Sequence, residues 1–226
     1  MESDYTPLHE ICQYECTRMA DQIRTRRKYE LKKRAEEMAE TRRRITKAAV
    51  ELHGTVGPAR TTLSAVAERA GVQRHTVYRH FPTDAELFQA CSTHYFSANP
   101  WPDLERWRAI DDPGERIARA LDDLFAYYER TEPMFSNVLR DAELVDAVGP
   151  SLEPLAEYQA EAVEILSSGW AARGRRRHVL KVVLRHAIDF TTWRSLTAHH
   201  RLARPEAVAL LMTLVECAAL GRRAPA

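Results

Sequence analysis

Apolar positions recur at helical spacing along most of the chain, and no stretch alternates cleanly enough to predict a strand. Ile45, Ala48, Ala49 and Leu52 fall on one face and predict a helix over residues 41–52, with Gly54 placed to end it. Leu63, Val66, Ala67 and Ala70 repeat at i, i+3, i+4 and i+7, the buried stripe of a shorter helix with Thr62 as its N-cap. Gly71 stands where that helix must stop, because glycine takes the left-handed C′ conformation without steric cost. Val77 and Phe81, four apart, form the buried side of the next helix, over residues 73–81. Leu87, Phe88, Cys91 and Tyr95 mark a fourth over 84–96, capped by Thr83.

Asn99, Pro100, Trp101 and Pro102 then read as a loop and a domain boundary. Further helices are expected at 103–108, 113–130, 133–146, 151–171, 174–198 and 204–220, separated by Pro113/Gly114, Pro133, Gly149/Pro150, Gly174 and Pro205. The last two are apolar on more than one face, through Val179, Val183 and Leu184 and through Leu210, Leu211 and Leu214, and so must bury two sides. A second subunit or a thicker monomer core would both satisfy that requirement. The expected fold class is all-α. Residues 1–36 form an extension, 37–97 a three-helix head, and 98–226 a helical body.

Charge separates these regions. The net charge is +1, but residues 22–80 carry 15 Lys/Arg against 6 Asp/Glu, while residues 81–226 carry 17 against 21. A basic head on an acidic body suits a phosphate-binding partner and points to nucleic acid. The short helix, glycine turn and cation-rich second helix make a helix-turn-helix of the DNA-reading kind. Arg74 can pair bidentately with guanine, and His75 and Thr76 share its end of the helix. Tyr78, Arg79 and His80 are candidates for DNA backbone, as are Thr62 and Ser64 at the start of the preceding helix.

Thr62, Val66, Ala67, Ala70, Gly71, Val72, Thr76, Val77, Tyr78, His80 and Phe81 fall in order on a run that resembles the hallmark of the TetR-type transcriptional regulators. The resemblance covers roughly residues 39–95. It implies a homeodomain-like head and a helical body that both dimerises and binds an effector. It also implies a homodimer through the last two helices, double-stranded DNA with a pseudo-palindromic operator as partner, and repression relieved by an unidentified small molecule. Trp107, Phe125, Tyr128, Phe135 and Tyr158 are the body aromatics that either fill the core or line the effector pocket. In that family the helix after the head commonly opens with a phosphate-contacting Lys; here the position is Asp84, so that contact is not expected.

Residues 24–34 hold seven cations and one acid: Arg24, Arg26, Arg27, Lys28, Lys32, Lys33 and Arg34 surround Glu30. They form either a charged, partly frayed helix or an arm that follows phosphates or enters the minor groove. His9, Cys12 and Cys16 share a helical face, but three ligands fall short of the four of a structural zinc site. No metal or cofactor is expected, and a redox or metal response through Cys12 and Cys16 stays an alternative, as does an activator or architectural protein without an effector. His186 and Asp189 lack any accompanying nucleophile or phosphate-loop motif, so no enzyme is expected. Neither a membrane-spanning run nor a signal peptide is evident, and the expected setting is cytoplasmic, with free thiols.

Overall fold

The computed structural model describes the backbone of residues 8–221 and the side chains of Arg24 and of residues 26–221. Among the described residues every regular element is helical. His9, Cys12 and Cys16 lie outside the described side chains. The chain divides into two compact units, residues 1–45 and 46–226.

Helix α1 spans Leu8–Thr55 and so runs through the boundary expected at 36/37. Gly54, expected to end it, lies one residue inside its end. The segment rich in Glu, Lys, Arg and Ala contains no Pro or Gly before that point, which favours unbroken helix. In the first unit its surface carries i,i+4 ion pairs: Arg26 with Glu30 at 3.1 Å, Lys32 with Glu36 at 3.8 Å and Lys33 with Glu37 at 3.9 Å.

The second unit begins with the end of α1 and a 3-10 turn, Pro58–Arg60, and continues into α2, Leu63–Ala70. Helix α3, Arg74–His80, and helix α4, Asp84–Ala98, follow. The Thr62 and Thr83 hydroxyls accept the N–H groups of Ala65 and Glu86 at 3.1 and 3.3 Å, as their sequence positions predict. Beyond the loop come α5 (Leu104–Arg108), α6 (Pro113–Asp141), α7 (Val148–Ser151) and α8 (Glu153–Leu166). Then follow α9 (Arg175–Ala187), α10 (Phe190–Trp193), its π-helical continuation Arg194–His199, and α11 (Arg204–Leu220).

Several expected boundaries move: Gly149 and Pro150, expected to separate helices, lie inside α7, and α8 ends at Leu166 rather than at 171. Pro133 does not end a helix, because α6 passes through it to Asp141. An internal proline costs about 3 kcal/mol, yet Leu124, Tyr128, Thr131 and Phe135 keep one buried face continuous across it. Burying two such aromatics offsets that cost. The helix expected over 174–198 instead breaks at Ile188 and Asp189, where the Asp189 carboxylate accepts the Thr191 N–H at 2.8 Å and caps α10. His186 and Asp189 are thus part of a helix junction.

An aromatic cluster of Tyr127, Tyr128, Phe135, Phe190 and Trp193 centres the second unit, with paired ring centroids 5.3 to 5.9 Å apart. Arg116 is buried in the first turn of α6, and its guanidinium donates to the carbonyls of Ile110 at 2.6 Å and Ser168 at 3.1 Å. Those bonds satisfy a buried charge while joining the loop before α6 to the end of α8. On α9 and α11 one face is inside, through Leu180, Leu184, Leu211 and Val215. Val182, Leu210, Leu214 and Leu220 remain exposed on the other.

Candidate nucleic-acid interface

The α2–α3 corner is built from its own apolar residues. Val66, Ala67, Ala70, Val77 and Phe81 are buried, so the two helices are fixed against each other. Gly71 takes φ 64° and ψ 41°, and its N–H is held by the carbonyls of Ala67 and Glu68. Any side chain there would be strained in the left-handed region. Arg69 on α2 meets Glu51 on α1 at 2.8 Å, an anchoring pair with no sequence signature.

With the core side of α3 settled, the other side is free. Arg74, His75, Tyr78 and Arg79 are exposed and Thr76 is half-buried; Thr62 and Ser64 are exposed at the start of α2. The Arg74 guanidinium donates to the Tyr78 hydroxyl at 3.1 Å and lies 5.6 Å from the centre of that ring. One face of α3 therefore presents two cations, an imidazole and a phenol. His80 does not belong with them. It is buried at 8 % exposure, because α3 starts at Arg74 and positions 77, 80 and 81 share the inward face.

The connection from α1 to α2 is held by the last turns of α6. Asn137 donates to the carbonyls of His53 at 3.2 Å and Gly54 at 2.9 Å. Arg140 donates to the Val56 carbonyl at 3.2 Å and to the Asn137 side-chain oxygen at 2.9 Å. Asp141, whose side chain is only 2 % exposed, pairs with Arg140 at 2.7 Å and accepts the Ala59 N–H at 2.9 Å. The Arg140 hydrogen bond, opposed by burial and helped by the Ala59 N–H, holds the Asp141 carboxyl below the usual carboxylate range. Gly57, at φ 94°, lies so close that an added Cβ would collide with both Arg140 and Asp141. Only the Gly57–Pro58 turn was legible in sequence; its partners lie more than 80 residues away.

His53 stacks on Phe88 with ring centroids 4.8 Å apart and an interplanar angle of 6°. Burial, partly offset by Asp141, pushes its pKa from 6.5 down to about 4. A depressed folded-state value means that the unfolded chain binds the proton more tightly between those limits. Stability is therefore intact above pH 6.5 and falls as the pH drops through this window to about 4. Urea titrations at pH 7 and 4.5 should show a loss on the order of 2 kcal/mol, and His53→Gln should remove most of that dependence. A variant with unchanged pH dependence would place the titration elsewhere.

His53 also borders a cavity. It encloses about 540 Å³ of empty space, open solvent at its mouth included, between the end of α1 and helices α4, α6 and α7. Of the five aromatics expected to line an effector pocket, only Phe135 reaches it. Trp107, Phe125 and Tyr128 are fully buried. The Trp107 indole donates to Asp123 at 3.0 Å, and the Tyr128 and Tyr158 hydroxyls donate to the Ile188 and Pro102 carbonyls at 2.7 and 2.9 Å. Their polar ends are committed to holding the body together, which helical spacing alone does not reveal.

The arm cations Arg24, Arg26, Arg27, Lys28, Lys32, Lys33 and Arg34 are exposed along α1. Among the described residues no group of three His, Cys, Asp or Glu side chains is arranged to hold a metal ion, and no helix is long and apolar enough to cross a membrane.

Among the described residues, the helices, the glycine-cornered helix-turn-helix and its cationic second helix have the architecture of DNA-reading helix-turn-helix proteins. Residues 45–91 match the family model described as "Bacterial regulatory proteins, tetR family". The transcriptional repressor Rv3405c of Mycobacterium tuberculosis is 36% identical over 114 residues, 47% of this chain and 57% of that protein. The regulator TtgR of Pseudomonas putida is 51% identical over 55 residues, 24% of this chain and 26% of the relative. A TetR-like regulator from Rhodococcus sp. RHA1 shares the fold at a TM-score of 0.58 and 18% identity, covering 80% of this chain and 97% of its own. The helix-turn-helix segment is thus similar to that of the tetR family of transcriptional regulators. It spans about half the length of the first of these curated relatives.

Proposed function

We propose that this protein is a sequence-specific transcriptional repressor that binds a pseudo-palindromic operator as a homodimer and is released by a small-molecule effector. The exposed face of α3 carries the reading: Arg74, His75, Tyr78 and Arg79 project from a helix whose other side is locked into the head. Arg74 would read a guanine edge, with Thr76 beside it; Tyr78, Arg79, Thr62 and Ser64 would hold phosphates. Two copies of α3 would enter successive major grooves about 34–36 Å apart. The exposed Val182, Leu210, Leu214 and Leu220 on α9 and α11 support dimerisation through those helices. Repression is supported by the name of the mycobacterial relative.

The arm takes part in a narrower way than its sequence allowed. A helix with side chains is about 10–12 Å across, whereas the minor groove is about 6 Å wide. Residues 24–34 are helical, so they would follow phosphates rather than enter that groove.

Fluorescence anisotropy on duplex from upstream of the protein's own gene, beside unrelated duplex, tests the reading. Tyr78→Ala should weaken binding to the preferred duplex about tenfold, through loss of its phosphate hydrogen bond and its support of Arg74. Equal binding by wild type and variant would remove α3 from the interface.

A further inference from the structure

We infer that the cavity between the end of α1 and helices α4, α6 and α7 binds an uncharged, largely apolar aromatic ligand, and that its occupancy is read out by the α6 contacts to the α1–α2 turn. The inference rests on the regulator reading and names the ligand class and the site.

The chemistry of the wall defines the ligand. Val50, Phe88, Phe96, Phe135, Val138 and Leu139 supply apolar surface, and no Asp, Glu, Lys or Arg is among the described residues that line it. Three of its polar side chains are already engaged. The Ser92 hydroxyl donates to the Ser151 carbonyl at 3.2 Å, the Ser151 hydroxyl to Val148 at 2.7 Å, and the Cys91 thiol to Thr46 at 3.8 Å. Burial pushes the Cys91 thiol and the Tyr95 phenol up to about 12, and His53 is held neutral, so these walls are uncharged near pH 7. An ionised ligand would shed its hydration without finding a counter-charge. A neutral aromatic finds flat partners in Phe88, Phe96 and Phe135.

The same stretch of α6 faces two tasks. Met134, Phe135 and Val138 line the cavity, while Asn137, Arg140 and Asp141 hold the turn leading to α2. His53 belongs to both, since its ring borders the cavity and its carbonyl is held by Asn137. A ligand that separates α6 from the end of α1 must lengthen the Asn137 bonds. A ligand-dependent shift of the head would follow from its different affinity for the two arrangements.

The test uses two dyes of one skeleton, N-phenyl-1-naphthylamine and its 8-sulfonate, titrated by fluorescence against the full chain. The neutral dye should bind at least tenfold more tightly than the sulfonate. Val138→Trp and Ser92→Phe, which fill the cavity, should each weaken the neutral dye at least tenfold while the circular dichroism melting curve is kept. Equal affinity of the two dyes, or neutral-dye binding unaffected in both variants, would overturn the assignment. If one variant fails to fold, the other and the wild-type dye pair decide. Saturating neutral dye should also shift wild-type DNA affinity at least tenfold, and Asn137→Ala should shrink that shift while still binding dye; an unmoved wild-type affinity would overturn the read-out. Dye discrimination without any DNA binding would sink the regulator reading and leave the ligand class standing. DNA binding without dye discrimination would do the reverse.

Discussion

Removal of residues 1–34 is expected to flatten the salt dependence of DNA binding while leaving base preference in place. The affinity of a protein that neutralises Z phosphates falls with log salt at a slope of about −0.9Z. With three arm cations per protomer on phosphates, a dimer would lose about six contacts and roughly 5 units of slope. Between 50 and 200 mM salt, about 10³-fold of the wild-type sensitivity would disappear. The ion pairs along the arm do not prevent this. Arg26–Glu30, Lys32–Glu36 and Lys33–Glu37 are solvent-exposed, and such pairs contribute only about 0.3–0.5 kcal/mol each, so phosphates compete successfully for the cations. Anisotropy titrations at several salt concentrations make the measurement, with circular dichroism confirming that the shortened chain is helical. An unchanged slope would assign the basic stretch to helix solubility alone.

Arg74→Ala should act on the other component of binding. It is expected to cost about 1–3 kcal/mol of discrimination per half-site at a single base pair, the worth of a bidentate pair with guanine. The slope with salt should hardly change. In the free protein the guanidinium rests on Tyr78, donating to its hydroxyl at 3.1 Å; this preorganises its reach at one end of α3. Competition between duplexes substituted base by base would show preference relaxing at one symmetry-related position only. A uniform loss across all duplexes would make Arg74 a phosphate ligand and move base reading to His75 and Thr76.

Local signals in the sequence carried the head. Thr62, Gly71 and Thr83 each mark a helix end through chemistry confined to four or five residues, and all three act in the structure as caps or stops. Their reasoning fails where a distant partner decides. His80 looks like its polar neighbours until the start of α3 sets its phase, and then it turns inward. Pro133 reads as a stop, yet the buried face that spans it is stronger than the local break. Asn137, Arg140 and Asp141 read as an ordinary polar helix end, because the turn they grip is remote in sequence. The aromatics Trp107, Tyr128 and Tyr158 signal burial without saying that their polar tips are tied to the body's own groups, and the cavity forms beside other residues. The resemblance to the tetR family located the head, and the side-chain packing located the cavity.

On the proposed function, α3 reads DNA in two symmetric copies. Selection of bound duplexes from a randomised pool by the full-length protein, followed by sequencing, tests it most directly. Enrichment is expected of an inverted repeat whose half-site centres are about 10 base pairs, or a multiple of that, apart. A pool that stays random after repeated rounds, or a single asymmetric site with no repeat, would contradict it.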